Sequence, residues 1–408
     1  MLYWIWLTTC KGIGSRAIQR ILAYFETPEA VYRASEAEYR LAGLTAAEMD
    51  GLADKSLDDA RAILRQCAQK NIHILTYQDA AYSNRLRNIP DPPAVLYYSG
   101  VLPALDDEPM VAVIGSRKSS AYGLSCAKRF GYQISVCGVL VVSGLAMGGD
   151  AMAMIGAVSA GKPVVGVLGC GVDVVYPKCN RHLYDDVLRH GCLISEYPPG
   201  TPPKPGHFPA RNRIISGLSL GVVVIEAPKK SGTLITADFA LEQGRDLFVV
   251  PGNIGLACCA GSNQLLKEGA NLVENGWDVM QEYAAMFPDR VVEHRYGSRL
   301  TASVSELRTY GQTQVAQTTE KPNALDKKSV DIPEIGDYID VQAVLDGLSD
   351  EEKKILTNLD RPRHVDELAA VCEMSTGRVL AALTLLEIKR YIQRLPGNRY
   401  ELARKQST

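Results

Sequence analysis

Basic residues crowd one stretch of a chain that is slightly acidic as a whole. Lys204, Arg211, Arg213, Lys229 and Lys230 stand there against a single acid, Glu226, while the 408 residues together carry a net charge of −2. In "HFPARNRIISGLS" (207–219) an aromatic, Phe208, precedes Arg211, Asn212 and Arg213, and in "KKSGT" (229–233) Lys230 precedes Ser231, Gly232 and Thr233. A third cluster, Gly115-Ser116-Arg117-Lys118, has the same chemistry. Cations beside small residues, whose backbone N–H groups can approach closely, suit an anion, above all where a helix N-terminus adds its partial positive charge. Ser231-Gly232-Thr233 opens "LITADFALEQG" and is the best single anion pocket. Phe208, with His207 before it, is placed to stack on a base. The other reading of the stretch is an intramolecular salt bridge beside a core phenylalanine. Pro209 predicts a helix starting near Arg211. Positions two apart on a helix point nearly opposite ways, so one arginine faces the ligand and the other a protein partner.

The elements that must hold these groups follow from periodicity. "MVAVIG", "VLVVSG", "PVVGVLG", "CLISEY", "GVVVIEA" and "DLFVVPG" are short, continuous apolar runs separated by helical stretches. Such runs predict a parallel sheet covered on both faces, an α/β, Rossmann-like, doubly wound domain over 76–285. In open sheets of this kind ligands bind beyond the carboxyl ends of the strands, where all three basic clusters fall. Residues 1–75 read as a helical domain of SAM or helix-hairpin-helix type. Lys11-Gly12-Ile13-Gly14 turns between two helices, and this hairpin either offers amides to a phosphate or only packs a corner; Ser56 is expected to cap a later helix. Residues 286–343 lose periodicity and predict a linker. Over 344–408, "LSDEEKKILTNL", "HVDELAAVC" and "STGRVLAALTLLEI" predict three helices, and "YIQRL" and "RYEL" a hairpin about Pro396-Gly397-Asn398, together a winged helix.

Several chemistries are disfavoured. "GAVSAGKP" (156–163) imitates a phosphate loop, but Pro163 stands where a hydroxyl would bind magnesium, and the segment precedes a strand instead of following one. "GCGVD" lacks the third glycine of a dinucleotide fingerprint, and six scattered histidines form no set with a nucleophile. The ten cysteines include no C-x-x-C; adjacent Cys258 and Cys259 are the only cluster, and reduced thiols are expected. No cofactor, metal or catalytic residue is predicted. The apolar start "MLYWIWLTTCKG" is too short for a membrane span, so no membrane association and a cytoplasmic location are expected. Without a global basic field, any polyanion site must be local.

In order, "VAVIGSRKSSAYG", "VVSGLAMGGDAMAMIGAV", "GCGVDVVYPKCNRHLY", "ISEYPPGTPPKPGHFPARNRIISGLS", "EAPKKSGTLITADFALEQGRDLFVVPG" and "GSNQLLKEGANLV" resemble the DNA-processing protein A (Smf) family over roughly 108–280. The resemblance implies a homodimeric, non-enzymatic binder that protects single-stranded DNA and hands it to the RecA recombinase during natural transformation. By motif position it implies DNA contacts from Arg117, Lys204, Phe208, Arg211 and Arg213, and a phosphate cradle at Lys230, Ser231, Gly232 and Thr233. Gly115, Ser116 and Asn212 complete the candidate set. Gly149 and Met154 depart from the family's usual isoleucine and histidine, while Asp150 is retained. The rival expectation is a nucleoside-monophosphate phosphoribohydrolase, whose P-G-G-x-G-T-x-x-E signature "KKSGTLITAD" lacks. In the winged helix, Arg378, Lys389 and Arg390 give "STGRVLAALTLLEI" and its end a thin basic surface, so contact with protein or an auxiliary strand is preferred to duplex reading.

Overall fold

The computed structural model describes residues 1–294, 348–359, 363–372, 374–389, 391–395 and 399–402. The chain forms two compact units, divided between Glu320 and Lys321. From residue 295 onward, the expected linker lies outside the described residues.

In the first unit, helices α1 (Leu2–Thr9), α2 (Ser15–Phe25), α3 (Pro28–Arg33), α4 (Glu36–Leu41), α5 (Ala46–Ala53) and α6 (Asp58–Gln69) lead into the sheet. Ile18, Ile21 and Leu22 give α2 its buried stripe, and Ser35 and Thr45 close capping boxes with Glu38 and Glu48 at the starts of α4 and α5. Ser56 accepts from the Asp58 N–H, although the cap position itself belongs to Leu57. The Lys11–Gly14 hairpin packs closely on α5: a Cβ on Gly51 would lie 2.1 Å from the Lys11 carbonyl oxygen. Ile13 is buried beneath it.

Among the described residues the sheet of this unit has nine strands. Two unforeseen antiparallel strands, β1 (His73–Thr76) and β2 (Val95–Gly100), edge the expected parallel set: β3 (Met110–Ile114), β4 (Leu140–Ser143), β5 (Val164–Leu168), β6 (Cys192–Ser195), β7 (Gly221–Val224) and β8 (Asp246–Val249). A short β9 (Asn271–Leu272) pairs with β8, and the spatial order is β1-β2-β6-β5-β4-β3-β7-β8-β9. Side chains alternate between the two faces. Val111 and Val113 enter a core shared with the N-terminal helices, α8 (Ala121–Val136), α9 (Gly149–Ser159), α10 (Arg181–His190) and α14 (Gly276–Ala284). Met110, Ala112 and Ile114 enter a second core beneath α7 (Asn84–Arg87), α11 (His207–Leu218), α12 (Gly232–Glu242) and α13 (Ser262–Lys267). Each aliphatic side chain so buried contributes about 1.5–3 kcal/mol. After β3 the chain steps through β4, β5 and β6 on one side, then returns to place β7 on the other. The winding reverses beside β3, and a crevice opens there.

The second unit packs α15 (Asp350–Thr357), α16 (Val365–Cys372) and α17 (Thr376–Ile388) against a small sheet. In it β11 (Ile392–Leu395) and β10 (Arg363–His364) flank β12 (Arg399–Leu402), which gives the expected three helices and wing. Ile355, Leu368, Val379 and Leu383 centre its core. The expected turn residues Pro396–Asn398 lie outside the described residues. Among the described residues no single helix is long and apolar enough to cross a membrane.

Candidate nucleic-acid interface

A cavity of about 680 Å³ occupies the crevice beside β3 and β7. Its floor is the close meeting of two turns. Gly149 sits where a Cβ would lie 2.6 Å from the Cα of Gly115, and Gly148, at φ +81°, would bring one within 2.3 Å of the Ser116 carbonyl oxygen. The β3–α8 turn and the start of α9 can therefore touch only through glycines, which accounts for Gly149 in place of a branched residue. Met154 is fully buried in the core and has no part in the crevice.

Asp150 locks this floor. Its carboxylate accepts the Gly115 N–H at 3.1 Å, together with the amides of Ala146 and Gly144. Burial pushes it above the ordinary carboxyl value, opposed first by the charge of Arg211 and then by those amides. Arg211 is correspondingly buried and pushed below its ordinary value by desolvation, with Asp150 the main opposing charge; a guanidinium stays protonated regardless. Its Nη1 donates to the Gly144 carbonyl at 3.0 Å and to the Val167 carbonyl, at the carboxyl ends of β4 and β5. Arg211 lies on the inward face of α11, in line with Ile214, Ile215 and Leu218. Its charge reaches the crevice only from the wall.

The structure removes Arg213 from the crevice. α11 begins at His207, four residues before the expected start, because Pro209 fits within a first helical turn, where its missing N–H costs nothing. The two arginines do point opposite ways, as the period demands. Both, however, are spent inside the protein. Arg213 is 5% exposed; it pairs with Glu196 at 2.8 Å and donates to the Asp91 carbonyl at 2.8 Å, to Ala210 at 3.0 Å and to Ser15 Oγ at 3.2 Å. It is a clamp between α11, the residue after β6 and the start of α2. Glu196 first, then Asp91, hold its guanidinium above the ordinary value against the pull of burial.

The cations that are free to act are elsewhere. Arg117, Lys118 and Lys230 line the cavity, are exposed, and enter no ion pair among the described residues. Lys204 is exposed too, but stands on the approach loop outside the lining. Ser231 caps α12 by accepting the Thr233 N–H at 3.1 Å, which takes that amide out of the expected cradle. The amides of Ser231 and Gly232 are left at the positive end of the helix. Asn212 spans the wall, donating to the Gly232 carbonyl at 3.2 Å.

Phe208 stands at the rim in a stack. The Arg117 guanidinium lies 5.4 Å above its ring and the ring of Tyr176 is 5.3 Å away, tilted by 38°. Tyr176, 40% exposed, was not singled out in the sequence; an aromatic beside Pro177 gives no periodic signal. His207 is not free to stack on a base, because it already stacks on Tyr197 at 4.0 Å and its Nδ1 meets the Gly169 carbonyl at 3.2 Å. The sequence showed Lys118 only as a member of the cluster after β3, Asp150 only as a retained position and Glu226 only as a lone acid; with Tyr176 they stand outside the candidate set, yet all four lie in or against the crevice. Glu226 ends buried below the crevice, accepting the Ser120 N–H at 2.7 Å and the Ser120 hydroxyl at 2.6 Å. It thereby ties the loop that carries Arg117 and Lys118.

Comparison with known proteins agrees with this architecture. A family model described as DNA recombination-mediator protein A matches residues 73–284, and one for the DprA winged helix domain matches residues 342–398. Protein Smf of Synechocystis sp. is 31% identical over 412 residues, covering 98% of each chain. DNA processing protein DprA of Streptococcus pneumoniae is 43% identical over 205 residues, covering 50% of this chain and 72% of its own. The X-ray structure of the Streptococcus pneumoniae DNA processing protein A superposes with a TM-score of 0.61 at 35% identity, covering 72% of this chain and 99% of that one. With half the chain matched by the family model and nearly all of it aligned to a Smf protein, this chain belongs to the DNA processing protein A (DprA/Smf) family.

Proposed function

We propose that the crevice beside β3 and β7 binds single-stranded DNA without making or breaking a bond, and that the protein, as a cytoplasmic homodimer, shields incoming strands and delivers them to the RecA recombinase. The observation that carries the binding step is the convergence of three unpaired cations, Arg117, Lys118 and Lys230, with a capped helix N-terminus and the Phe208–Tyr176 stack. Phosphates meet the cations and the Ser231 and Gly232 amides, while an unpaired base extends the stack beside Phe208. A duplex keeps its bases paired and cannot use that platform. Binding is therefore tolerant of sequence and selective for single strands.

Two carboxylates lie near enough to suggest hydrolysis, and both are committed. Asp150 is fixed by amides and faces Arg211, and Glu226 accepts twice from Ser120. Neither is poised as a general acid or base beside the cavity, which supports a binder over a phosphoribohydrolase. In the winged helix, Arg378 of α17 pairs with Glu351, and Lys389, just past its end, pairs with Glu352 at 2.7 Å, so these two basic groups are neutralised within the unit; Arg390 lies outside the described residues. That supports a protein-contact or auxiliary role for it over duplex recognition. The recombinase step and the dimer rest on family membership.

The test is fluorescence anisotropy with a dT oligomer and a duplex of equal length, at low salt. At least about tenfold preference for the single strand is expected. Equal affinities, or release of free base from AMP or CMP, would overturn the reading.

A further inference from the structure

Glu226, Cys258 and Cys259 meet at the edge of the crevice although they come from different strand ends. Glu226 follows β7, and the two cysteines sit on a 3₁₀ turn, Ala257–Cys259, that follows the neighbouring parallel strand β8. The Cys258 and Cys259 sulfurs are 3.7 Å apart, and Cys259 Sγ is 3.6 Å from Glu226 Oε1. We propose that these three side chains form a metal site for a thiophilic dication of the zinc class.

A tetrahedral zinc, with bonds of about 2.3 Å to sulfur and about 2.0 Å to oxygen, sets two sulfurs about 3.8 Å apart and a sulfur and an oxygen about 3.5 Å apart. Two of the three ligand edges are already at those lengths. All three ligand atoms lie within 4.8 Å of one another, so the last edge, between Cys258 and Glu226, closes by at most about 1.3 Å. Cys258 is half-buried and can make that adjustment. The carboxylate is oriented by the Ser120 N–H and hydroxyl, the kind of outer support that metal-bound carboxylates receive. Cys258 also lines the cavity, so a fourth position opens toward solvent in the crevice, where water or a phosphate oxygen completes the tetrahedron.

The competing fate of the thiols is a disulfide, and the backbone opposes it. Adjacent residues hold their Cα atoms about 3.8 Å apart, below the usual disulfide span of about 4.4–6.8 Å. Sequence spacing disfavoured a metal because only the cysteine pair is visible there. The carboxylate arrives through strand pairing.

The test uses the untagged full-length chain, reduced with a phosphine and dialysed against micromolar Zn2+, with bound metal counted by mass spectrometry. One zinc per chain is expected in the wild type, with affinity at least about tenfold lower in Cys258→Ser and in Glu226→Gln. Co2+ in place of Zn2+ should show sulfur-to-cobalt charge-transfer absorption that weakens in Cys258→Ser. Cys258 is only half-buried, so this variant should fold, and circular dichroism checks that it does. No stoichiometric zinc in the reduced wild type, or a Cys258→Ser variant with unchanged zinc affinity and cobalt spectrum, would overturn the site.

Discussion

Replacing Arg213 by methionine should destabilise the protein and leave DNA affinity alone. The side chain makes an ion pair with Glu196, a longer one with Asp91, and hydrogen bonds to the Asp91 and Ala210 carbonyls and to Ser15. Removing one partner of a buried pair costs about 3–5 kcal/mol, mostly because the other charge is stranded. Here Glu196 and Asp91 keep 22% and 30% side-chain exposure, so water screens them and the lower end, about 3 kcal/mol, applies. At about 2 °C per kcal/mol for a unit of this size, the thermal midpoint should fall by about 6 °C. Adding Glu196→Gln should recover about 1 kcal/mol, because it removes the stranded charge. Differential scanning calorimetry gives the midpoints, and anisotropy with a dT oligomer, well below the transition, should stay within about twofold of wild type. A variant with an unchanged midpoint and a large loss of affinity would put Arg213 back on the ligand and remove it from the clamp.

Phe208→Ala should cost about 1–3 kcal/mol of single-strand affinity by removing one stacking surface, and Tyr176→Ala should weaken binding in the same direction by less, both read by anisotropy. Gly149→Ala places a Cβ 2.6 Å from the Gly115 Cα, so thermal midpoint and DNA affinity should fall together, by about 1–3 kcal/mol in stability. The Thr45 amide holds the Glu48 carboxyl below its ordinary value of 4.5, opposed by desolvation and helped by the Thr45 hydroxyl and Arg20. Its folded value is depressed, so the stabilisation is complete above pH 4.5 and disappears as pH falls through the folded value. Thermal midpoints against pH should show this acid loss in wild type and a flatter profile in Glu48→Gln.

What could be read from the chain alone depended on range. The six parallel strands were legible because burial on both faces makes each a continuous apolar run, as in "MVAVIG" and "GVVVIEA". The winged helix was legible from helical spacing and a hairpin. β1 and β2 were not: they pair antiparallel at the sheet edge, and "AVLYYSG" between prolines carries no alternation. The helical period showed that Arg211 and Arg213 diverge, but not where each ends. Asp150, Asp91, Glu196 and Ser15, which receive them, come from four separate segments brought together only by folding. A charge in a sequence looks available until its partner is known. For this reason the basic stretch at 204–230 contributes Lys230 to the crevice rim, while Arg117 and Lys118 come from the loop after β3.

If unpaired cations at the strand ends hold the phosphates, affinity for a dT oligomer must fall with salt in proportion to their number. Three phosphate contacts, from Arg117, Lys118 and Lys230, predict a slope of log K against log salt near about −2, at about 0.7 per contact. In the double variant Arg117→Ala/Lys230→Ala the slope should shrink to about −0.7, with affinity at least about tenfold weaker. A folded double variant that keeps both the wild-type slope and the wild-type affinity would contradict the account.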